Sequence, residues 1–489
     1  MSAQALLRQW PVDARDSLPH ALWDAASIAA ATGGTASHAF TASGVEMDSR
    51  DVRPGDVFVA LKGEAMDGHR FIGKAFENGA VAAIVDRPVD YPHVLVEDTT
   101  RALHDLAHAA RDRSAAVRIG ITGSVGKTGV KEAIFTALDR SSRGAAHRSV
   151  RSYNNHVGVP LSLARMPARS RFGVFEMGMN HAGEIAPLSD HVRPHVALIT
   201  TIAPAHIENL GSMEAIADEK ASIFAGLVEG GTAIIPADSE YAPRMKAYAE
   251  RLGVHVVTFG KAADADVRLL DAIPSANGGS LVTADLGPKM GDTRLCYSVA
   301  EPGEHWIANS LGVMAAVRAA GGDLAAAGLA LAEMGGLKGR GARHRIPAVG
   351  GHALMIDESY NANPASMRAT MRQLGQTPAS RRIAVLGSMK ELGDFSAKFH
   401  AQLIEPITEA QIDHAILVGD EMRALMSELG KASASGIHKG LTYAHCSSPA
   451  EAIAVLEEYG LAQGDAVLVK GSNSVGLGAV VSHFTSLSG

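Results

Sequence analysis

The chain has 489 residues, too many for one ordinary core and enough for about three domains. Hydrophobic residues make up 46% and charged residues 20%, a soluble globular balance, with no apolar run near the roughly 18 residues that a membrane span needs. The formal net charge of −7 argues against broad nucleic-acid binding, so an anionic ligand has to be held by local groups.

The opening stretch, MSAQALLRQWPVDARDS, lacks the basic segment and apolar core of a secretory signal, and a cytoplasmic setting is expected. Up to about Asp112, the short β-rich runs VFVALKG and AVAAIVD are separated by Gly, Asp and Pro, which reads as a small α/β domain. His104 and His108 have the i, i+4 spacing of a helical metal pair, but the Glu of zinc peptidases is missing beside them and a solvated face is expected. From Ser114 the pattern changes to an apolar run, VRIGIT, a glycine loop, and a helix with Val130, Ile134, Ala137 and Leu138 on one face.

The loop Gly123-Ser124-Val125-Gly126-Lys127-Thr128 follows a strand and opens a helix, where backbone N–H groups and the helix N-terminus can wrap phosphate oxygens. Lys127 would neutralise phosphate charge and Thr128 would ligate magnesium. The general pattern puts a glycine where Ile121 stands, so this is a variant form, with a plain turn as the alternative. Next, the apolar run FGVFEMG brings Glu176 to a strand end, ahead of Asn180, His181 and Glu184. A carboxylate there suits a nucleotide-bound magnesium; the alternative is a solvated strand terminus. VALITTI and GTAIIPA continue a mostly parallel sheet covered by helices.

In a helix numbered from Ser212, the apolar face Met213, Ile216, Ile223, Phe224 and Leu227 also carries Lys220. Either that lysine snorkels along its stem, or its amine is desolvated and made reactive. His206 is a metal ligand or a core histidine. GGLKGRGARHR reads as a hinge, and ALMIDES, RRIAVLG, HAILVG and DAVLVKG alternate with helices as a second doubly wound unit. Cys296 and Cys446 lack any CxxC partner, which argues against a disulfide framework or a thiolate zinc site. The expected architecture is α/β in three domains: a small N-terminal domain (1–113), a central P-loop ATPase-like domain with a mostly parallel sheet (114–336), and a C-terminal Rossmann-like domain (337–489).

In order, MDSRDVRPGDVFVALKGEAMDGHRFIGKAFENGA, TGSVGKT, YNNHVGVPLSL, EMGMNHAGEI, APAHIENLGS, EKASIF and IDESYNANPASM resemble the Mur ligases, ATP-dependent amide-forming enzymes of peptidoglycan synthesis. The segment IDESYNANPASM, with VLGSMKELGDFS and VLVKGSNS, resembles the branch that adds D-Ala-D-Ala to a UDP-N-acetylmuramoyl-tripeptide. The resemblance implies that Ser49, Arg50, Lys62, Gly68 and His69 lie on a uridine-nucleotide motif. It implies that Lys127 and the Gly123 to Gly126 backbone hold ATP, that Thr128 and Glu176 hold a first Mg2+, and that His206 meets a second. Lys220 matches a carbamylated lysine supporting that second ion. Asn309 matches an adenine contact, Arg345 would reach towards ATP, and Glu358 would meet the ribose.

Asn155 matches an amide near phosphate transfer, and Asn180, His181, Asn361 and Asn363 are carried over as substrate contacts. Four positions depart from the pattern: Glu358 stands for Asp, Ser388 for Asp, Asn473 for Arg, and Gly129 for a hydroxyl residue. A monomer without membrane insertion is expected. The alternatives are a related ligase adding the third residue, a folylpolyglutamate synthase-like enzyme, and a P-loop regulator without ligase activity. SYNANP and the absence of Asp-Asn-Pro-Arg argue against the first, and the long N-terminal domain against the second.

Overall fold

The computed structural model describes residues 21–63, 66–275, 278–434 and 440–486; the N-terminal stretch used above to argue against a secretory signal lies outside these residues. By their contacts the residues form two units, one of 1–116 and 147–173 and one of 117–146 and 174–489. No helix among the described residues is long and apolar enough to cross a membrane.

In the first unit a five-stranded sheet is built from β1 (Thr35–Ala36), β2 (Gly44–Glu46), β3 (Asp56–Val59), β4 (Ala82–Val85) and β5 (His93–Leu95), in the order β1-β5-β4-β3-β2. Only the β1 pairing is antiparallel. Val57, Val59, Ile84 and Val94 point into a core closed by helix α1 (Ala25–Thr32) and helix α2 (Thr99–Asp112). Asp98 caps α2 by accepting from the Arg101 N–H at 2.8 Å, one of the donors a helix start leaves unpaired.

The second unit carries two sheets. In one, strands β6 (Val117–Thr122), β7 (Phe172–Glu176), β8 (Val196–Ile199), β9 (Thr232–Pro236), β10 (His255–Gly260), β11 (Val267–Pro274), β12 (Ser280–Leu286) and β13 (Thr293–Val299) run in the order β13-β12-β11-β10-β9-β8-β6-β7. The stretch β6-β8-β9-β10-β11 is parallel and the outer β11-β12-β13 is an antiparallel meander. Helix α3 (Lys127–Ser142) packs with Val130, Ile134, Ala137 and Leu138 fully buried, the face that the spacing predicts. The other sheet joins β14 (Ala342–Ala348), β15 (Gly351–Glu358), β16 (Arg382–Gly387), β17 (His414–Val418), β18 (Thr442–Cys446) and β19 (Ala466–Lys470) in the order β14-β15-β19-β16-β17-β18, with only the β14 pairing antiparallel. The presumed hinge segment therefore already runs into strand at Ala342.

Parallel strands gather their carboxyl ends on one side, and ligand loops belong there. β6, β7 and β8 deliver Thr122, Glu176 and Ile199 to one such edge, and β15, β16 and β19 deliver Glu358, Gly387 and Lys470 to the other.

Candidate functional site

The turn from β6 into α3 depends on two glycines with positive φ, Gly123 at 147° and Gly126 at 88°. A Cβ on Gly123 would fall 1.9 Å from Thr200 Oγ1, a hydroxyl that donates to the Val125 carbonyl at 2.6 Å. Ser124 is tied to the same neighbouring segment: its N–H donates to Thr201 O at 2.9 Å and its hydroxyl to Ala203 O at 2.8 Å. The loop is thus braced by the residues after β8. Lys127 Nζ donates to Gly123 O at 2.7 Å, a backbone acceptor that a phosphate would replace. Burial pulls the Lys127 ammonium below the usual lysine value, opposed by Glu176.

Thr128 Oγ1 donates to Glu176 Oε2 at 2.9 Å, and both side chains are buried. A hydroxyl and a carboxylate brought together at the foot of a phosphate loop are the hard oxygens that Mg2+ takes, so these residues fit the ion. Asn309, on helix α4 (Glu304–Ala319), lies against the same loop: a Cβ on Gly126 would be 2.8 Å from its amide nitrogen.

Ser212 caps the helix that carries Lys220, accepting from the Ala215 N–H at 3.1 Å. The α-helical part, α5 (Met213–Ala221), is shorter than the apolar spacing predicts, because the chain tightens into a 3-10 turn from Ser222 to Gly226; Ile216, Ile223 and Phe224 are buried all the same. Lys220 is 2% exposed, and among the described residues its ammonium meets only the Met179 sulfur, at 3.8 Å. Burial pushes its pKa well below the ordinary lysine value, the Lys127 charge pushes the same way, and Glu219 opposes. Glu219 itself accepts from the N–H groups of Gly183 and Ile185, each at 2.8 Å. That fixes the loop where Asn180 and His181 stand exposed, with the Glu184 carboxylate accepting from both of their backbone N–H groups. His206, at φ 58°, sets its Nδ1 against the Glu391 carboxylate.

A cavity of about 290 Å³ opens beside that pair, its lining including His206, Asn361, Lys390, Glu391, Ser472 and Asn473, with Asn363 among them. Its floor comes from the carboxyl ends of β15, β16 and β19. Asn361 and Asn363 are both brought here, but the Asn363 side-chain oxygen is spent on a helix cap, accepting from the Ser366 N–H at 2.9 Å. Asp357 is saturated by the Gly339 N–H and the Ser359 hydroxyl at 2.7 and 2.6 Å. Glu358 therefore remains as the available carboxylate, 3.4 Å from the buried Lys470 ammonium. Glu301 lies near it across Gly341; burial pushes its pKa up to about 7, against the Arg343 charge, with Glu358 adding to the rise.

The structure does not bring Arg345 into this group. It is exposed on β14, within 3.4 Å of His352 Nδ1, on the same strand face as Arg343 and opposite the one that holds Ile346. Arg340 and Arg343, which the sequence reading passed over, are the arginines whose charges act on Lys127 and Glu301. Lys390, Glu391 and Lys470 were missed as well. Their signal, charged residues just beyond apolar strand runs, was present in the sequence.

Ser49, Arg50, Lys62 and Asn155 belong to the first unit. Arg50 is exposed and paired with Asp48 at 2.6 Å, and Lys62 bridges to Asp67 in the backbone. Ser49 is buried, its carbonyl accepting from Asn78 at 2.7 Å. Asn155 accepts from the Gly158 N–H at 2.9 Å at the start of helix Gly158–Ala164. His69 is a hub between Asp67 at 2.8 Å and Asp86 at 3.1 Å.

Three family models match in succession: "Mur ligase family, catalytic domain" over residues 41–118, "Mur ligase middle domain" over 121–317, and "Mur ligase, glutamate ligase domain" over 344–473. The chain is 35% identical over 447 residues to the UDP-N-acetylmuramoyl-tripeptide--D-alanyl-D-alanine ligase of Synechocystis sp., covering 89% of this chain and 90% of that protein. Its fold is similar to a crystal structure of MurF from Acinetobacter baumannii, with TM-score 0.79, 29% identity, and 95% and 99% of the two chains covered. It is likewise similar to MurF ligase from Thermotoga maritima in complex with ADP, with TM-score 0.73, 26% identity, and 91% and 97% covered.

Proposed function

Because the chain belongs to the Mur ligase family, we propose that it joins D-Ala-D-Ala to a UDP-N-acetylmuramoyl-tripeptide at the expense of ATP, releasing ADP and phosphate. A carboxylate is a poor acyl donor because its leaving group would be oxide. The tripeptide's terminal carboxylate therefore attacks the γ-phosphorus of ATP, and ADP departs to leave an acyl phosphate. The dipeptide's amine then attacks the acyl carbon, and the tetrahedral intermediate collapses to an amide, expelling phosphate while the nitrogen gives up its proton.

In this reading Lys127 and the Gly123 to Gly126 amides hold the ATP phosphates, and Thr128 and Glu176 hold Mg2+, which supplies charge neutralisation at the transferring phosphoryl group. Asn309, Arg345 and Glu358 are carried from the resemblance as nucleotide contacts. Ser49, Arg50 and Lys62 take the uridine end of the donor, while Asn155, Asn180, His181, Asn361 and Asn363 face the reacting end and the acceptor. Domains bounded near 113 and 336, a monomer, and a cytoplasmic setting complete the proposal.

The observation that carries the site assignment is Lys220. An ammonium buried against a thioether is poorly stabilised as a cation, and the neutral amine it favours can take up carbon dioxide. The resulting carbamate would be an anion able, with His206, to support a second metal. The experiment is phosphate release with Mg-ATP and UDP-muramoyl tripeptide, with and without D-Ala-D-Ala, alongside product mass. Release that needs both substrates, with a pentapeptide product, supports the ligase. ATP binding with no stimulation by either substrate would favour the P-loop regulator.

A further inference from the structure

Trp23 and Trp306 are placed very differently. Trp23 is 3% exposed, its indole N–H donates to Ala164 O at 2.8 Å, and the Arg113 guanidinium covers its ring at 3.8 Å. Everything that a core indole needs is supplied. Trp306 is only half-buried.

Its position gives the reason. The benzene edge of Trp306 rests on the first turn of α3, where a Cβ on Gly129 would come 2.7 Å from Cη2 and 2.8 Å from Cζ2. Asn309, three residues on, rests in the same way on Gly126. Residues three apart share a helix face, so α4 lays Trp306 and Asn309 along α3 beside the phosphate loop. Gly129 is also where the motif pattern expects a hydroxyl residue; that side chain is absent, and the ring occupies its space. The ring stands against Gly129, one residue past Thr128.

We infer that Trp306 is a stacking platform for the purine base of the bound nucleotide, and that Gly129 is the residue that admits it. This rests on the reading of the loop as an ATP site. The indole face supplies a flat π-surface, which a base stacks on without hydrogen-bond readout, while the neighbouring Asn309 amide can read the base edge.

The test compares wild type, Trp306→Phe and Trp306→Ala for binding of ADP and of inorganic tripolyphosphate, which has no base. Binding is followed by calorimetry, with intrinsic fluorescence recorded in parallel. The expected result is an ADP affinity about tenfold weaker in Trp306→Ala and near wild type in Trp306→Phe, with tripolyphosphate unchanged in all three. ADP should quench wild-type fluorescence and lose most of that quench in Trp306→Phe. Equal weakening of both ligands in Trp306→Ala would mean that the ring only supports the loop, and unchanged ADP affinity would mean that the base lies elsewhere; either overturns the inference. A wild type that binds neither ligand would remove the nucleotide site itself, a failure distinct from the other two.

Discussion

Glu219 and Lys220 are adjacent in the chain, both buried, and their charges are handled in opposite ways. Glu219 spends its carboxylate on two backbone N–H groups, which is ample to hold an anion in a dry place. Lys220 is offered only a thioether, and burying an unpaired ammonium is costly, which pulls its pKa well below the ordinary lysine value. Replacing Lys220 by Ala should cut ligation by roughly three orders of magnitude or more, the scale on which losing a principal charge-stabilising group is felt. Added formate or acetate should restore part of the rate by standing in for the lost anion, with melting temperature unchanged or raised because a buried amine has been removed. Phosphate release measured with and without the added acid checks this, and full activity in Lys220→Ala would end the assignment.

At the level of elements, the central sheet's outer meander was absent from the strand reading, and so was β18. Strand β12 alternates buried and exposed residues, with Val282, Ala284 and Leu286 inward, whereas the inner parallel strands are apolar on both faces and announce themselves as continuous runs. Strand β18, TYAHC, reads as polar because it is an edge strand with one face towards water. The junction of α4 with β14 holds the other consequence of folding, the buried Glu301. An unfolded glutamate ionises near 4.5, but burial lifts folded Glu301 to about 7. Between these values the folded state keeps a proton that the unfolded state has lost, so this group makes stability fall as pH rises through that window. Glu301→Gln should remove that slope and stabilise the protein at pH 8 by on the order of 2 kcal/mol. Melting temperatures of both proteins from pH 4.5 to 8 test it; parallel curves would mean that Glu301 is ionised throughout.

For the whole molecule, the proposed donor contacts Ser49, Arg50 and Lys62 lie in one unit and the proposed phosphate loop in the other. On the proposed function, an ATP analogue together with UDP-muramoyl tripeptide should lower the radius of gyration in small-angle scattering, as hinged domains do on binding ligands. Superimposable profiles with and without both ligands would count against closure. The sequence by itself determined the α/β class, the glycine loop between β6 and α3, the buried face of α3 and the helix bearing Lys220. Each of these is a local pattern, a period, a cap or a glycine with a required φ, that neighbours along the chain specify. Only the tertiary structure decided that Thr128 meets Glu176, that Asn363 is spent on a helix cap while Glu358 is left beside Lys470, and that Trp306 fills the space above Gly129. Those outcomes depend on which strand ends and helix faces the sheet order places side by side, and a contact between residues far apart in sequence leaves no periodic trace in either segment.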